Sequence, residues 1–149
     1  MQTDDDIVAS AQRILLRRLR ASKAKFSIFN SEDLNLYVSL QLGHLEHEEF
    51  GAIYLSEHNL VLRYYALATG STNHCDVSVR QLVKQALNLN ASGVIFVHNH
   101  PRATLVASDN DRLFTRGMVE ALNPVDIEVY DHLIVCGQTV LSMKQSGDF

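Results

Sequence analysis

An α/β (α+β) domain, with a mixed β-sheet flanked by helices, is predicted by three features of the 149 residues. Short apolar runs rich in β-branched and aromatic residues recur between residues 50 and 143, each bounded by polar or turn-forming residues. Stretches with apolar residues at helical spacing stand before and between them. Hydrophobic residues make up 46% of the chain, enough at this length for one compact core.

Taken in order, Asp4, Asp5 and Asp6 supply capping and first-turn acids for a helix over about 7–20. Its docking stripe is Ile7, Ala11, Ile14, Leu15 and Leu19. The other face and the following turn carry Arg13, Arg17, Arg18, Arg20, Lys23 and Lys25 with no acid among them. That cluster reads either as a solvated face complementing the helix dipole or as a patch for a partner or nucleic acid. Ser31-Glu32-Asp33 opens a second helix reaching about residue 44, with Leu34, Tyr37, Val38, Leu40 and Gln41 along it. Strands over 50–55 and 60–67 are joined by the polar turn Ser56-Glu57-His58-Asn59. Residues 68–76 form a loop, and 80–90 a helix with Leu82, Val83, Ala86 and Leu87 apolar, ending before Gly93. A buried strand covers 94–97, and a helical pattern from Ser108 carries Leu113, Phe114, Met118, Ala121 and Leu122. Strands over 126–130, 132–136 and 138–143 complete the sheet.

Charge and composition exclude several classes. A net charge of −4 and a pI of about 5.9 argue against a dedicated nucleic-acid binder. No apolar run approaches the length of a membrane span. The opening MQTDDD is acidic and polar, unlike a secretory leader, and Cys75 and Cys136 are too few for a disulfide framework. The expected location is the cytoplasm.

The chemistry concentrates at 93–111. In an extended chain alternate side chains share a face, so His98 and His100 converge. Pro101 ends the strand directly behind them. Ser108 stands where a helix N-cap belongs, and Asp111, three positions on, falls in the first turn. Strand end and helix start thereby gather two imidazoles and a carboxylate. Three such ligands suit a catalytic zinc with its fourth tetrahedral position open. The chain has seven histidines, so on spacing alone the pair reads equally as hydrogen-bonded histidines at a strand end.

His98-x-His100-Pro101, ten intervening residues and Asp111, with Ser108 three before it, resembles the JAMM (JAB/MPN+) metalloprotease motif. The closer resemblance is to its RadC-like branch, and it extends to Gly70, Val77-Ser78-Val79-Arg80, Asn90-Ala91 and Asp131-His132-Leu133-Ile134-Val135. It covers the chain from about Leu45 onward. It implies a cytidine-deaminase-like mixed sheet, a Zn²⁺ held by His98, His100 and Asp111, and hydrolysis of a peptide or isopeptide bond. It also implies a division into an N-terminal helical segment, 1–44, packed on a metalloprotease domain, 45–149.

A metal-activated water needs a general base, and Glu46, Glu48 and Glu49 are all candidates. In the resembling family the base stands two residues before an aromatic that starts the first strand, which points to Glu48, two before Phe50. By the same resemblance the hydroxyl of Ser108 donates to the oxyanion, beside its capping role. Arg102-Ala103 stands where RadC-like chains usually have Ser-Gly, and Ala107 where they usually have Pro. Full-length RadC proteins carry an N-terminal helix-hairpin-helix-like region associated with DNA, and residues 1–44 are too short for all of it. The rival expectation is therefore a DNA-associated accessory protein with a non-catalytic or vestigial metal site, carried by the basic stretch Arg13 to Lys25. His74-Cys75-Asp76 offers a nucleophile beside a base, a weaker pattern because folds rather than neighbours assemble such dyads. His132 reads as a structural histidine or as support for the metal ligands.

Overall fold

The computed structural model of the protein describes residues 1–21, 32–70, 77–101 and 104–149. Among these, β1 (Glu49–Leu55), β2 (Val61–Thr69), β3 (Gly93–Asn99), β4 (Glu128–Cys136) and β5 (Thr139–Ser142) form a mixed sheet in the order β2-β1-β3-β4-β5. Only β3 and β4 run parallel, and α4 (Asp109–Leu122) is the crossover that this pairing requires. α1 (Asp4–Ala21) and α2 (Glu32–Leu42) cover one face, and α3 (Val79–Asn88) and α4 cover the other. A one-turn α5 (Met143–Ser146) follows β5. The expected fold, a mixed sheet flanked by helices, is the one observed.

Central strand β3 is buried along its whole length because its alternate residues feed two cores. Ile95 and Val97 pack with Leu34, Tyr37, Val38 and Leu42 of α2 and with Leu15 and Leu19 of α1. Val94 and Phe96 pack with Leu82 and Ala86 of α3 and with Met118 and Leu122 of α4. The same alternation assigns His98 to the α4 face and Asn99 to the α2 face.

Several elements depart from expectation. α1 begins at Asp4 rather than near residue 7, because Thr3 caps it: Thr3 Oγ1 accepts from the Asp6 amide at 3.2 Å, and Asp6 Oδ2 accepts from the Thr3 amide at 2.8 Å. The hydrogen bonds that the Thr3 amide and hydroxyl donate to Asp6 Oδ2 hold the Asp6 carboxyl below its usual pKa. The docking stripe of α1 is rotated from the expected one. Ile7 and Ile14 are 53% and 48% exposed, while Leu15 and Leu19 are buried. At roughly 100° per residue, Val8, Leu15 and Leu19 share one side and Ile7 and Ile14 lie a quarter-turn or more away. Part of the basic face is engaged within the fold: Arg18 pairs with Asp33 at 3.0 Å, and Arg20 donates to the Leu62 carbonyl at 3.3 Å. Lys23, Lys25, Ser31, Arg102-Ala103 and the His74-Cys75-Asp76 triplet lie outside the described residues.

The strands expected over 126–130 and 132–136 are one strand, β4, with an irregularity opposite Val94 and Ile95. Val129 pairs with Val94 but Asp131 with Ile95, so Tyr130 is the extra residue of a bulge. Val129 and His132 consequently share the α4 face, three residues apart rather than two, while Asp131, Leu133 and Val135 turn to the α2 face. The expected strand over 138–143 stops at Ser142, whose hydroxyl accepts from the Gln145 amide and starts α5 with Met143.

Candidate metal centre

His98 is the penultimate residue of β3, and the ladder continues beyond Asn99 through the His100 amide, which donates to the Val135 carbonyl at 2.9 Å. The two imidazoles thus point the same way, as strand alternation requires. Asp111 arrives from α4. Ser108 is its N-cap, accepting from the Asp111 amide at 3.1 Å, and Asp111 Oδ2 accepts in return from the Ser108 amide at 2.8 Å. This capping box fixes the carboxylate as well as the helix start. It tethers Oδ2 and leaves Oδ1 3.2 Å from His98 Nε2.

The donor atoms of His98, His100 and Asp111 lie within 4.8 Å of one another, with His98 and Asp111 buried and His100 half-buried. His98 Nε2 and His100 Nε2 are 2.8 Å apart, and His100 Nε2 is 3.7 Å from Asp111 Oδ2. Phe50 stacks on the His98 ring at 5.7 Å, Phe114 packs edge-on against Phe50 and Phe96, and both of those pack edge-on against His132, so the site is backed by aromatic rings.

A buried chain of hydrogen bonds sets the state of His98. Thr115 Oγ1 lies 2.7 Å from the Asp111 carbonyl and 2.7 Å from His132 Nδ1, and His132 Nε2 lies 2.7 Å from His98 Nδ1. A carbonyl only accepts, so the single Thr115 proton goes to Asp111. Thr115 must then accept from His132 Nδ1–H, leaving His132 Nε2 to accept from His98 Nδ1–H. His98 Nε2 is left with its lone pair facing Asp111 and His100. That is the tautomer a metal requires, oriented through its other nitrogen. His100 Nδ1 is buried with no hydrogen-bond partner among the described residues. Two imidazoles and one carboxylate, converging at a largely buried point with one lone pair already aimed, fit a divalent metal.

The three acids of 46–49 separate by face. Phe50 pairs with His98 across β1 and β3, and residue 48, two before it, falls on the same side by alternation. Glu48 is half-buried just before β1. Glu49 points the opposite way, where its Oε1 accepts from the Tyr64 hydroxyl at 2.7 Å; burial, and then this acid, push the Tyr64 pKa up. Glu46 is exposed. Ser108 is exposed at the mouth of the site, and capping uses its lone pair, not its proton. His132 is fully buried, with its Nε2 2.7 Å from His98 Nδ1. The contributions of Thr115 and Asn99 had no local signal in the sequence.

The RadC-like JAB domain profile matches residues 28–148 and takes in α2 as well as the sheet. The chain is similar to UPF0758 protein YkfG of Escherichia coli, 35% identical over 144 residues, 97% of this chain and 90% of that protein. UPF0758 protein YfjY of the same species is 36% identical over 140 residues, 94% and 86% of the two chains. UPF0758 protein PSHAa2643 of Pseudoalteromonas translucida is 40% identical over 122 residues, covering 81% of this chain and 54% of that longer relative. With the profile spanning most of its length and relatives matched almost end to end, the chain belongs to the RadC-like JAB domain family.

Proposed function

We propose that this protein is a zinc-dependent amide hydrolase of the JAMM metallopeptidase or isopeptidase type. His98, His100 and Asp111 hold the metal, Glu48 is the general base and Ser108 the oxyanion donor. The observation that carries the reading is the buried convergence of the three donors with the Nε2 lone pair of His98 directed inward. Zinc, when bound, supplies Lewis acidity that lowers the pKa of a water and polarises a carbonyl. Glu48 takes the proton of the attacking water and returns it to the leaving amine, so the cycle ends with the carboxylate regenerated. The Ser108 proton, not consumed by capping, donates to the oxyanion as the carbonyl becomes tetrahedral. Phe50, Phe96 and Phe114 back the site with apolar surface.

Elemental analysis of the purified protein, beside His100→Ala, tests the metal first. Near-stoichiometric zinc in the wild type and its loss in the variant are expected. Absence of metal from both after zinc is supplied would overturn the reading. A panel of peptide and isopeptide substrates then tests the reaction.

A further inference from the structure

We infer that Asn99, the residue between the two histidines, is a positioning residue for Glu48; the inference rests on the hydrolase reading above. Asn99 is 1% exposed. By strand alternation its side chain leaves β3 on the face opposite to His98, and its amide spans the gap to the start of β1. Nδ2 donates to the His47 carbonyl at 2.9 Å, and Oδ1 accepts from the Glu49 amide at 2.7 Å. A carbonyl only accepts and an amide N–H only donates, so these partners fix the orientation of the Asn99 amide. The two backbone groups it holds are the ones on either side of Glu48. The Glu48 carbonyl is held in turn by the Gly70 amide at 2.8 Å, at the end of β2.

Glu48 itself precedes the regular ladder of β1, whose pairing with β3 starts at Phe50 and His98. Asn99 therefore extends the attachment of β1 to the strand bearing the ligands past the point where strand pairing stops. One residue thereby links base and ligands, since Asn99 is covalently joined to both His98 and His100. A general base works only within hydrogen-bond reach of the proton it takes, and small misplacement costs rate steeply. Bridging both groups needs a donor and an acceptor on one short planar side chain. Aspartate lacks the donor, a hydroxyl is too small to span the gap, and glutamine is a methylene longer.

The test uses the full chain loaded with Co²⁺, whose visible absorption reports the surroundings of the metal whether or not a substrate is known. Wild type, Asn99→Ala, Glu48→Gln and the double variant are compared. Asn99→Thr serves if the alanine variant does not fold, since threonine suits a strand and its one hydroxyl cannot bridge both groups. All are expected to bind cobalt. Asn99→Ala should move the absorption in the same direction as Glu48→Gln, and add nothing to it in the double variant. The inference is overturned by an Asn99→Ala spectrum identical to wild type, or by a change that persists undiminished beside Glu48→Gln. It is equally overturned if Glu48→Gln leaves the spectrum unmoved, or if the Asn99 variants lose cobalt altogether. With a cleaved substrate, Asn99→Ala should lower kcat on the order of tenfold to a hundredfold at unchanged KM, an effect absent in the Glu48→Gln background. A wild type that cleaves nothing sinks the hydrolase reading alone, and the cobalt spectra still decide the role of Asn99.

Discussion

Asp131 shows how one buried acid is accommodated beside the site. Its carboxylate accepts from the Ser142 hydroxyl, from the His132 amide at 2.7 Å and from the Lys144 amide at 3.1 Å. Desolvation outweighs these bonds and holds its pKa above the usual carboxylate value. A carboxyl whose folded pKa is raised binds its proton more tightly in the folded state. Its contribution to stability is therefore full below the unfolded value, about 3.9, and is lost as pH rises through the raised one. Asp131→Asn keeps the shape and removes the titration. The urea midpoint of the variant relative to wild type should improve as pH goes from about 4 to about 7. A difference flat across that range would mean that folding leaves the Asp131 pKa unchanged.

At the scale of the element, the proposed function gives the start of α4 two tasks on one serine. Capping requires only the Ser108 lone pair, whereas oxyanion stabilisation requires its proton. The tasks separate because glycine is a tolerable N-cap and alanine is not. Ser108→Ala should cost about 1 kcal/mol in denaturant unfolding and Ser108→Gly only a few tenths. Both should lose activity alike, on the order of a hundredfold or more, because both lack the hydroxyl. Activity losses that instead track the two stabilities would assign Ser108 to capping alone. The bulge in β4 is the second element-scale device. Were Tyr130 paired in a regular ladder instead of bulged out, His132 would face α2, and His98 would lose its partner.

Across the whole molecule, the N-terminal helices are bound to the far end of the chain. A Cβ on Gly43, just beyond α2, would lie 2.1 Å from the Gly137 carbonyl oxygen in the β4–β5 turn, and that neighbour is backbone and cannot rotate away. Gly43→Ala should therefore destabilise the protein by about 1–3 kcal/mol, measured by denaturant unfolding, as overpacking does. A cost within a few tenths of zero would mean that α2 and the turn separate readily. No helix among the described residues is long and apolar enough to cross a membrane. Their buried apolar residues supply the two cores and the smaller cluster of Ala107, Ile134 and Met143.

The candidate metal-ligating set was legible along the chain through the family resemblance and because its spacing obeys local rules. Strand alternation aligns His98 with His100, and the three-residue span of a capping box joins Ser108 to Asp111. The sheet, the order of its elements and most helix limits were legible for the same reason, since period and capping act over a few residues. Where the local signal was ambiguous the reading failed: Ile7 and Ile14 are as apolar as Leu15, and only the position of α2 chooses which side of α1 is buried. The partners of the ligands lay beyond any local rule. Turning Glu49 away to Tyr64 takes the register of β1, bringing His132 to His98 takes a bulge opposite Ile95, and the span of Asn99 to residues 47 and 49 takes a strand end fifty residues away. Those pairings are made by the sheet, whose register comes from packing both of its faces at once.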